Sequence, residues 1–500
     1  MNMDAAAVPR LSSSTLSALA GRARVPAYDR AQTVAGVVHL GIGAFHRAHQ
    51  AVYFDDLLAR GHHGYAVTGA SLRSAEVARQ LAPQDGLYGV LTLADAHAEY
   101  RIVGAVREVL VATDDPAALV ARLAARATAL VTLTVTEKGY CHRPSDDTLD
   151  LQHEDIRHDL QHPQSPRSAV GFLAAMLAAR FQAALPPPTV LCCDNLPHNG
   201  RLLAGLVRSF AEAQDRAAFA RWIEDAVRFP CTMVDRIVPA TTDLDRAAVA
   251  RRYGIDDQGL VKAEPFSQWV IEDLAETTRP LGDVGALLVG EVAPFETMKL
   301  RLLNGAHSTV AYLGYLAGCE YVAEAMTVPG MDTLVARLMD REVTPTLRVP
   351  ADFDLAGYKH ALRARFANPA LQHRTWQIAM DGSQKLPQRL LGSARERLAA
   401  AAPVDALALA VAAWMRYVGG VDEQGRAIDV RDPLAARLAI LAAPRRAEAA
   451  TTVDALLGVR EVFDPALAQD PRWRAALVLH YERLLRLGAR GAIAALVAPP

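Results

Sequence analysis

Within the stretch Phe295–His307 an amine, an amide and an imidazole, Lys299, Asn304 and His307, interrupt an otherwise apolar run of helical character. At about 100° per residue these side chains fall near roughly 0°, 140° and 80°, so all three project from one side of a helix. An amine that is partly desolvated gives up its proton more readily, so Lys299 can act as a base near neutral pH. Asn304 can donate to an oxygen that gains negative charge, and His307 can hold a neighbouring hydroxyl or carboxylate. That set suits oxidation of a secondary alcohol, or the reverse reduction of a ketone. The same residues also fit a plain amphipathic helix, with Lys299 snorkelling to solvent, Asn304 and Gly305 bending or ending the helix, and His307 in the core.

A second candidate lies at Gly41-Ile42-Gly43-Ala44-Phe45-His46-Arg47. Two glycines permit a tight turn and a close approach of backbone to a pyrophosphate over the following helix N-terminus. The third glycine of the usual dinucleotide fingerprint is replaced by His46, and a simple strand-to-helix turn fits as well. His46, Arg47 and His49 add cationic and hydrogen-bonding capacity there, either for phosphate or as solvated helix-start residues. An acid closing the second strand would take the hydroxyls of an unphosphorylated ribose. This chain has Gly69-Ala-Ser71-Leu-Arg73 instead, with Glu76 the first acid nearby, so the motif does not fix the choice between NAD and NADP; the expected cofactor is NAD, with NADP left open.

Other polar groups stand at the ends of apolar runs. Thr132–Tyr140 closes one strand in Thr, Glu137 and Lys138, and Asp194-Asn195 closes another. Ligands of parallel sheets bind at such ends. Asn195 is either a second amide for the reacting oxygen or an Asx-type cap before Arg201. Asp235-Arg236 is either part of a site or an ordinary ion pair. In Asp381-Gly-Ser383-Gln-Lys385-Leu-Pro-Gln-Arg389 two cations flank a helix break, able to clamp a carboxylate or several hydroxyls, or simply solvated beside a cap.

The elements that must position these groups follow from hydrophobic periodicity. Short apolar runs at 34–40, Tyr65–Gly69, Leu87–Leu93, Tyr100–Val106, Leu130–Thr136 and Val190–Cys193 alternate with helical stretches at 48–60, 116–127, 168–184 and 201–213. Such alternation predicts an α/β domain with a mainly parallel, doubly wound sheet. From about residue 290 the pattern becomes helical: Thr297–Met326, Ala356–Phe366, Gln388–Ala401, Val404–Tyr417, Pro433–Leu441 and Arg472–Leu487. The boundary is expected within Leu281–Val292, giving domains 1–285 and 286–500.

Composition narrows the classes. The chain has 500 residues, 51% hydrophobic and 22% charged, with a net charge of −2, which gives no general attraction to nucleic acid or anionic membrane. Five cysteines without C-x-x-C pairs predict reduced thiols and no zinc site. No segment approaches the roughly eighteen apolar residues of a membrane span, and Met1–Arg30 has no basic start followed by an apolar core. A cytoplasmic protein with a small-molecule partner, monomeric or a small homo-oligomer, is expected.

Several motifs in one order, Val38–Gln50, Thr134–Tyr140, Cys193–Asn195, Phe229–Pro239 and Lys299-x4-Asn304-x2-His307, resemble the long-chain mannitol dehydrogenase family. Gln268–Asp273, His373–Arg389, Trp414–Tyr417 and Gly420–Gly425 are similar to those members that act on sugar acids. The resemblance implies a Rossmann-type domain, a helical domain, and metal-independent hydride transfer between a nicotinamide and a polyol or sugar acid. It implies Lys299 as general acid/base, Asn195 and Asn304 as oxyanion-stabilising amides, His307 and Lys385 as substrate-positioning groups, and Asp235 as a shaping residue. Mannitol-oxidising members carry an arginine where this chain has Gln377. The expected reaction is therefore reduction of fructuronate to D-mannonate, with Lys385, Arg374 or Arg389 meeting the carboxylate. The alternative is oxidation of mannitol or arabinitol.

Overall fold

The computed structural model describes residues 8–94, 98–143, 145–442 and 448–498. The chain divides into two compact units, Met1–Ala293 and Pro294–Pro500.

In the first unit the strands Val106–Val111, Val67–Ser71, Val37–Leu40, Leu130–Leu133 and Thr189–Cys192 lie side by side in that order, every pair parallel. The three from 37, 130 and 189 are buried at every position, as strands covered by helices on both faces must be. Val37–Leu40 pairs with Val67–Ala70 on one side and Leu130–Leu133 on the other. Chain connections therefore leave its two sides in opposite directions, and a crevice opens beyond its carboxyl end, just where Gly41 begins.

The expected strand Tyr100–Val106 is in fact two. Ala98–Val103 forms an antiparallel hairpin with Tyr88–Leu93, and Val106–Val111 joins the parallel sheet. Gly104 makes the break: a Cβ there would lie 2.7 Å from Pro26, and its N–H donates to Asp55 Oδ1 at 2.9 Å. Short strands at Val261–Ala263, Thr232–Asp235, Gln268–Glu272 and Leu287–Val289 complete two small three-stranded sheets that periodicity did not predict. They hold three to five residues each, too few to show a repeat.

The second unit is helical. The helix Asp405–Tyr417 is buried on nearly all sides and so forms its centre, while Pro471–Val497 is interrupted at Gly488, where φ is 67°. The expected helix Thr297–Met326 is divided into Ala293–Met298, a π-helical turn Lys299–Asn304, Gly305–Leu316 and Val322–Met326. Among the described residues no helix is long and apolar enough to cross a membrane.

Candidate active site

In the first unit a cavity of about 490 Å³ opens at the carboxyl ends of the parallel strands. Gly41 and Gly43, Ser71 to Ser74, Glu76, Thr134 to Thr136, Lys138 and Arg167 are on its wall. Gly41 has φ of 92°, and a Cβ on it would lie 2.2 Å from the Thr134 carbonyl oxygen, so only glycine fits that turn. Gly43 is extended at the start of the helix Ala44–Ala48. Neighbouring Ile42 fills the space over Gly69, where a Cβ would lie 2.2 Å from its Cδ1.

The side chains expected to reach out from this turn point inward instead. Arg47 is 6% exposed, donates through Nη1 to the Gly259 carbonyl at 2.6 Å, and lies over the Tyr88 ring. His46 is fully buried with its ring stacked on His39 at 3.4 Å. Burial pushes the pKa of both imidazoles down, that of His39 to about 3, so the stacked pair is uncharged. The polar letters after the glycines thus tie the first helix to the sheets behind it. Of the residues expected to meet phosphate, Gly41 and Gly43 line the cavity, with Ala44 and Phe45 opening the helix beside them.

Asp194 organises the opposite wall. Its carboxylate accepts from the N–H groups of Val135 and Thr136 at 2.9 and 3.1 Å and from the Tyr140 hydroxyl at 2.6 Å. Thr136 sits at φ 69° and ψ 159°, a region otherwise used by glycine, and these bonds hold it there. This is why the strand stops at Leu133. Burial nevertheless raises the pKa of Asp194, against those hydrogen bonds. Asn195 follows on the exposed side, while the helix begins at Asn199 without a side-chain cap from His198. Asn199 instead donates to the carbonyls of Asp194 and Thr232. Asp235 is buried at the end of its strand, and Arg236 donates to the carbonyls of Glu264 and Ala48.

In the second unit the π turn changes the geometry that α-helical spacing predicted. Bonding to the fifth residue back, as Gly305 N–H does to Leu300, widens the turn. Residue 304 then lies about one turn beyond residue 299, so Lys299 and Asn304 share a face more closely than the roughly 140° of an α-helix. A second π turn, Pro387–Leu391, packs against this one. Their meeting point is Gly305, where a Cβ would lie 2.7 Å from the Arg389 carbonyl oxygen. Periodicity carries no signal for a π turn, though glycines at 305 and 392 and Pro387 mark its edges.

His307 lies between two rings, stacked on Phe366 at 5.0 Å and edge-on to His373 at 4.8 Å. Burial lowers its pKa well below the ordinary value, and His373, Arg389, Arg365 and Lys385 lower it further. A neutral imidazole, able to donate and accept, is therefore surrounded by cations. Arg389 reaches Ser308 Oγ at 3.0 Å, and Lys385 donates to the Met380 carbonyl at 2.6 Å with Asp381 at 3.8 Å. Burial lowers the pKa of each cation, and for Lys385 the charge of Arg389 adds to it. Arg374 is elsewhere engaged: half-exposed, it pairs with Glu320 at 2.6 Å and lies over Tyr321. Lys299 is 9% exposed and Asn304 partly buried. Neither His373 nor Ser308 carries a signal of its own in the sequence, since a lone imidazole or hydroxyl reads as structural.

The Asp-Gly-Ser segment builds the break that aims Lys385. Asp381 takes a left-handed conformation, Gly382 leaves room for Trp414 and Tyr312, and Ser383 donates to Asp432 through both N–H and Oγ.

Comparison with known proteins agrees with both units. Residues 35–281 match the mannitol dehydrogenase Rossmann domain and residues 291–485 the mannitol dehydrogenase C-terminal domain. D-mannonate oxidoreductase of Escherichia coli is 44% identical over 94% of this chain and 97% of that protein. Mannitol 2-dehydrogenase of Pyricularia oryzae is 38% identical over 93% of each. The structure of Pseudomonas fluorescens mannitol 2-dehydrogenase, in a ternary complex with NAD and D-mannitol, superposes with a TM-score of 0.83 at 37% identity, covering 98% of this chain and all of that one. With both domain types in order and end-to-end relatives well above 30% identity, the chain belongs to the mannitol dehydrogenase family of oxidoreductases.

Proposed function

We propose that this protein is an NAD-dependent oxidoreductase that reduces the keto-uronate fructuronate to D-mannonate, and oxidises mannonate in reverse. The observation that carries the choice of a sugar acid is the group of cations around neutral His307, namely Lys385, Arg389 and Arg365. The guanidinium of Arg389 and the ammonium of Lys385 can each give a carboxylate charge-assisted hydrogen bonds that an uncharged ketose cannot match. Similarity to D-mannonate oxidoreductase of E. coli supports the same reading.

The strand-end cavity fits NAD: no side chain at Gly41 or Gly43 obstructs a pyrophosphate there, and Glu76 is an acid able to take ribose hydroxyls. When bound, the reduced nicotinamide supplies hydride to the ketone carbon. Asn195 and Asn304 donate hydrogen bonds to the oxygen as it gains charge, and the Lys299 ammonium gives it a proton. His307, neutral, positions a substrate hydroxyl, while Lys385 and Arg389 hold the carboxylate, and Asp235 shapes the site. Arg374, occupied by Glu320, is the weakest of the three carboxylate candidates.

Steady-state NADH oxidation with fructuronate and with fructose tests this. The expected kcat/KM for fructuronate is higher by about 100-fold or more, because an uncharged ketose forgoes the charge-assisted bonds to Lys385 and Arg389. Equal or better use of fructose would move the assignment to mannitol 2-dehydrogenase chemistry.

A further inference from the structure

We propose that Cys141, His153 and Asp155 form a binding site for a zinc-like divalent ion on the rim of the strand-end cavity, and that the ion and the nucleotide oppose each other's binding. One donor atom from each residue lies within 4.8 Å of the others. The chain brings them together locally. Cys141 follows the loop that Asp194 clamps, and its carbonyl accepts the Asp150 N–H at 2.9 Å, which returns the chain towards His153 and the helix Glu154–Gln161.

Tetrahedral zinc, with bonds of about 2.0–2.3 Å, needs its ligands roughly 3.3–3.8 Å apart. The three donors reach that spacing by moving about 1 Å, within the range of side-chain rotation. Thiol, imidazole and carboxylate together favour zinc over magnesium or calcium, whose ligands are oxygens. Three protein ligands leave a fourth position for water. Burial and the carboxylates of Asp155, Asp159 and Asp150 push the Cys141 thiol up, against Arg73, so the thiolate forms only with the ion bound. The Cys141 proton leaves to solvent as the metal–sulfur bond forms.

Two existing contacts oppose the ion. Asp155 pairs with Arg73 at 3.4 Å, but the Arg73 side chain is 80% exposed, so that pair yields easily. His153 Nδ1 accepts the Asp155 N–H at 3.2 Å as a helix cap, and ligation through either ring nitrogen gives up that bond. Micromolar affinity is therefore expected, weaker than in a preformed structural site. Cys141 and Asp155 also line the strand-end cavity, while His153 and Asp155 face a neighbouring one, so the ion has access and takes up nucleotide space.

Cobalt(II) and zinc chloride, added to the full chain, provide the test. Cobalt should give a thiolate charge-transfer band at one ion per chain, and zinc should displace it. Cys141→Ser should abolish the band, and His153→Gln, at a partly exposed position, should weaken binding by about tenfold or more. Zinc should also raise the NADH dissociation constant of the unaltered chain and leave that of Cys141→Ser unmoved. Absence of the band, or its persistence in Cys141→Ser, overturns the site. A zinc-insensitive NADH affinity overturns the opposition alone. That last arm rests on the cavity holding NAD, whereas the cobalt arm does not, so the two readings fail separately.

Discussion

Gly305 lies so close to Arg389 that a single methyl group on it would sit 2.7 Å from the Arg389 carbonyl oxygen. The contact joins two π turns, one carrying Lys299 and Asn304 and the other Arg389. Gly305→Ala should therefore destabilise the protein by about 1–3 kcal/mol through overpacking, seen as a lower denaturant midpoint with an unchanged slope. Turnover should fall further than stability explains, because Lys299, the proposed proton donor, and Arg389, proposed to hold the carboxylate, shift together.

Asp194 offers a test of the other unit. It holds Val135, Thr136 and Tyr140, and Thr136 stays at φ 69° only while those bonds persist. Asp194→Ala leaves the buried Tyr140 hydroxyl and the part-buried Val135 N–H without their acceptor, at a cost of about 1–3 kcal/mol, and frees a loop on the cavity wall. A raised dissociation constant for NADH, measured by fluorescence, is the expected outcome. Unchanged affinity would mean that this loop does not shape the nucleotide pocket.

Glu342 makes a pH prediction. Its carboxylate accepts from Ala406 and Leu407 N–H at 2.9 Å each, yet burial pushes its pKa from 4.5 up to about 7. The folded value exceeds the unfolded one, so the folded state holds this proton more tightly. The resulting stability is fully present below pH 4.5 and is lost as pH rises to about 7. Relative to Glu342→Gln, the unaltered protein should lose on the order of 3 kcal/mol across that window. Parallel curves for the two proteins would contradict it.

Substrate choice is addressed by Arg389→Leu and Lys385→Met. If Arg389 and Lys385 hold the carboxylate as proposed, each substitution should raise KM for fructuronate by about tenfold or more while changing kinetics with fructose much less. Equal losses on both substrates would assign these cations to structure instead.

Part of this architecture is written plainly in the chain. Strands buried on both faces appear as short, mainly apolar runs, and Gly41-Ile-Gly43 marks the crevice because no side chain fits against Thr134. Lys299, Asn304 and His307 stand out as polar letters in an apolar helix, and His307 is indeed packed between rings. The direction of a side chain is less visible. His46 and Arg47 look like phosphate contacts in sequence, yet burial among His39, Tyr88 and Gly259 turns them inward. The π turn at Lys299 is equally hidden: apolar periodicity does not mark it, and the close approach of Gly305 to Arg389 beside it joins residues far apart in the chain. Arg374 resembles a substrate contact until Glu320, distant in sequence, is found beside it.

In the proposed mechanism the Lys299 amine moves the proton during hydride transfer. Comparing kcat for fructuronate reduction and the NADH dissociation constant in Lys299→Ala and the unaltered protein tests it most directly. Turnover should fall by about 100-fold or more, with partial rescue by added methylamine and almost unchanged cofactor affinity. Turnover within about threefold of the unaltered protein would contradict the mechanism.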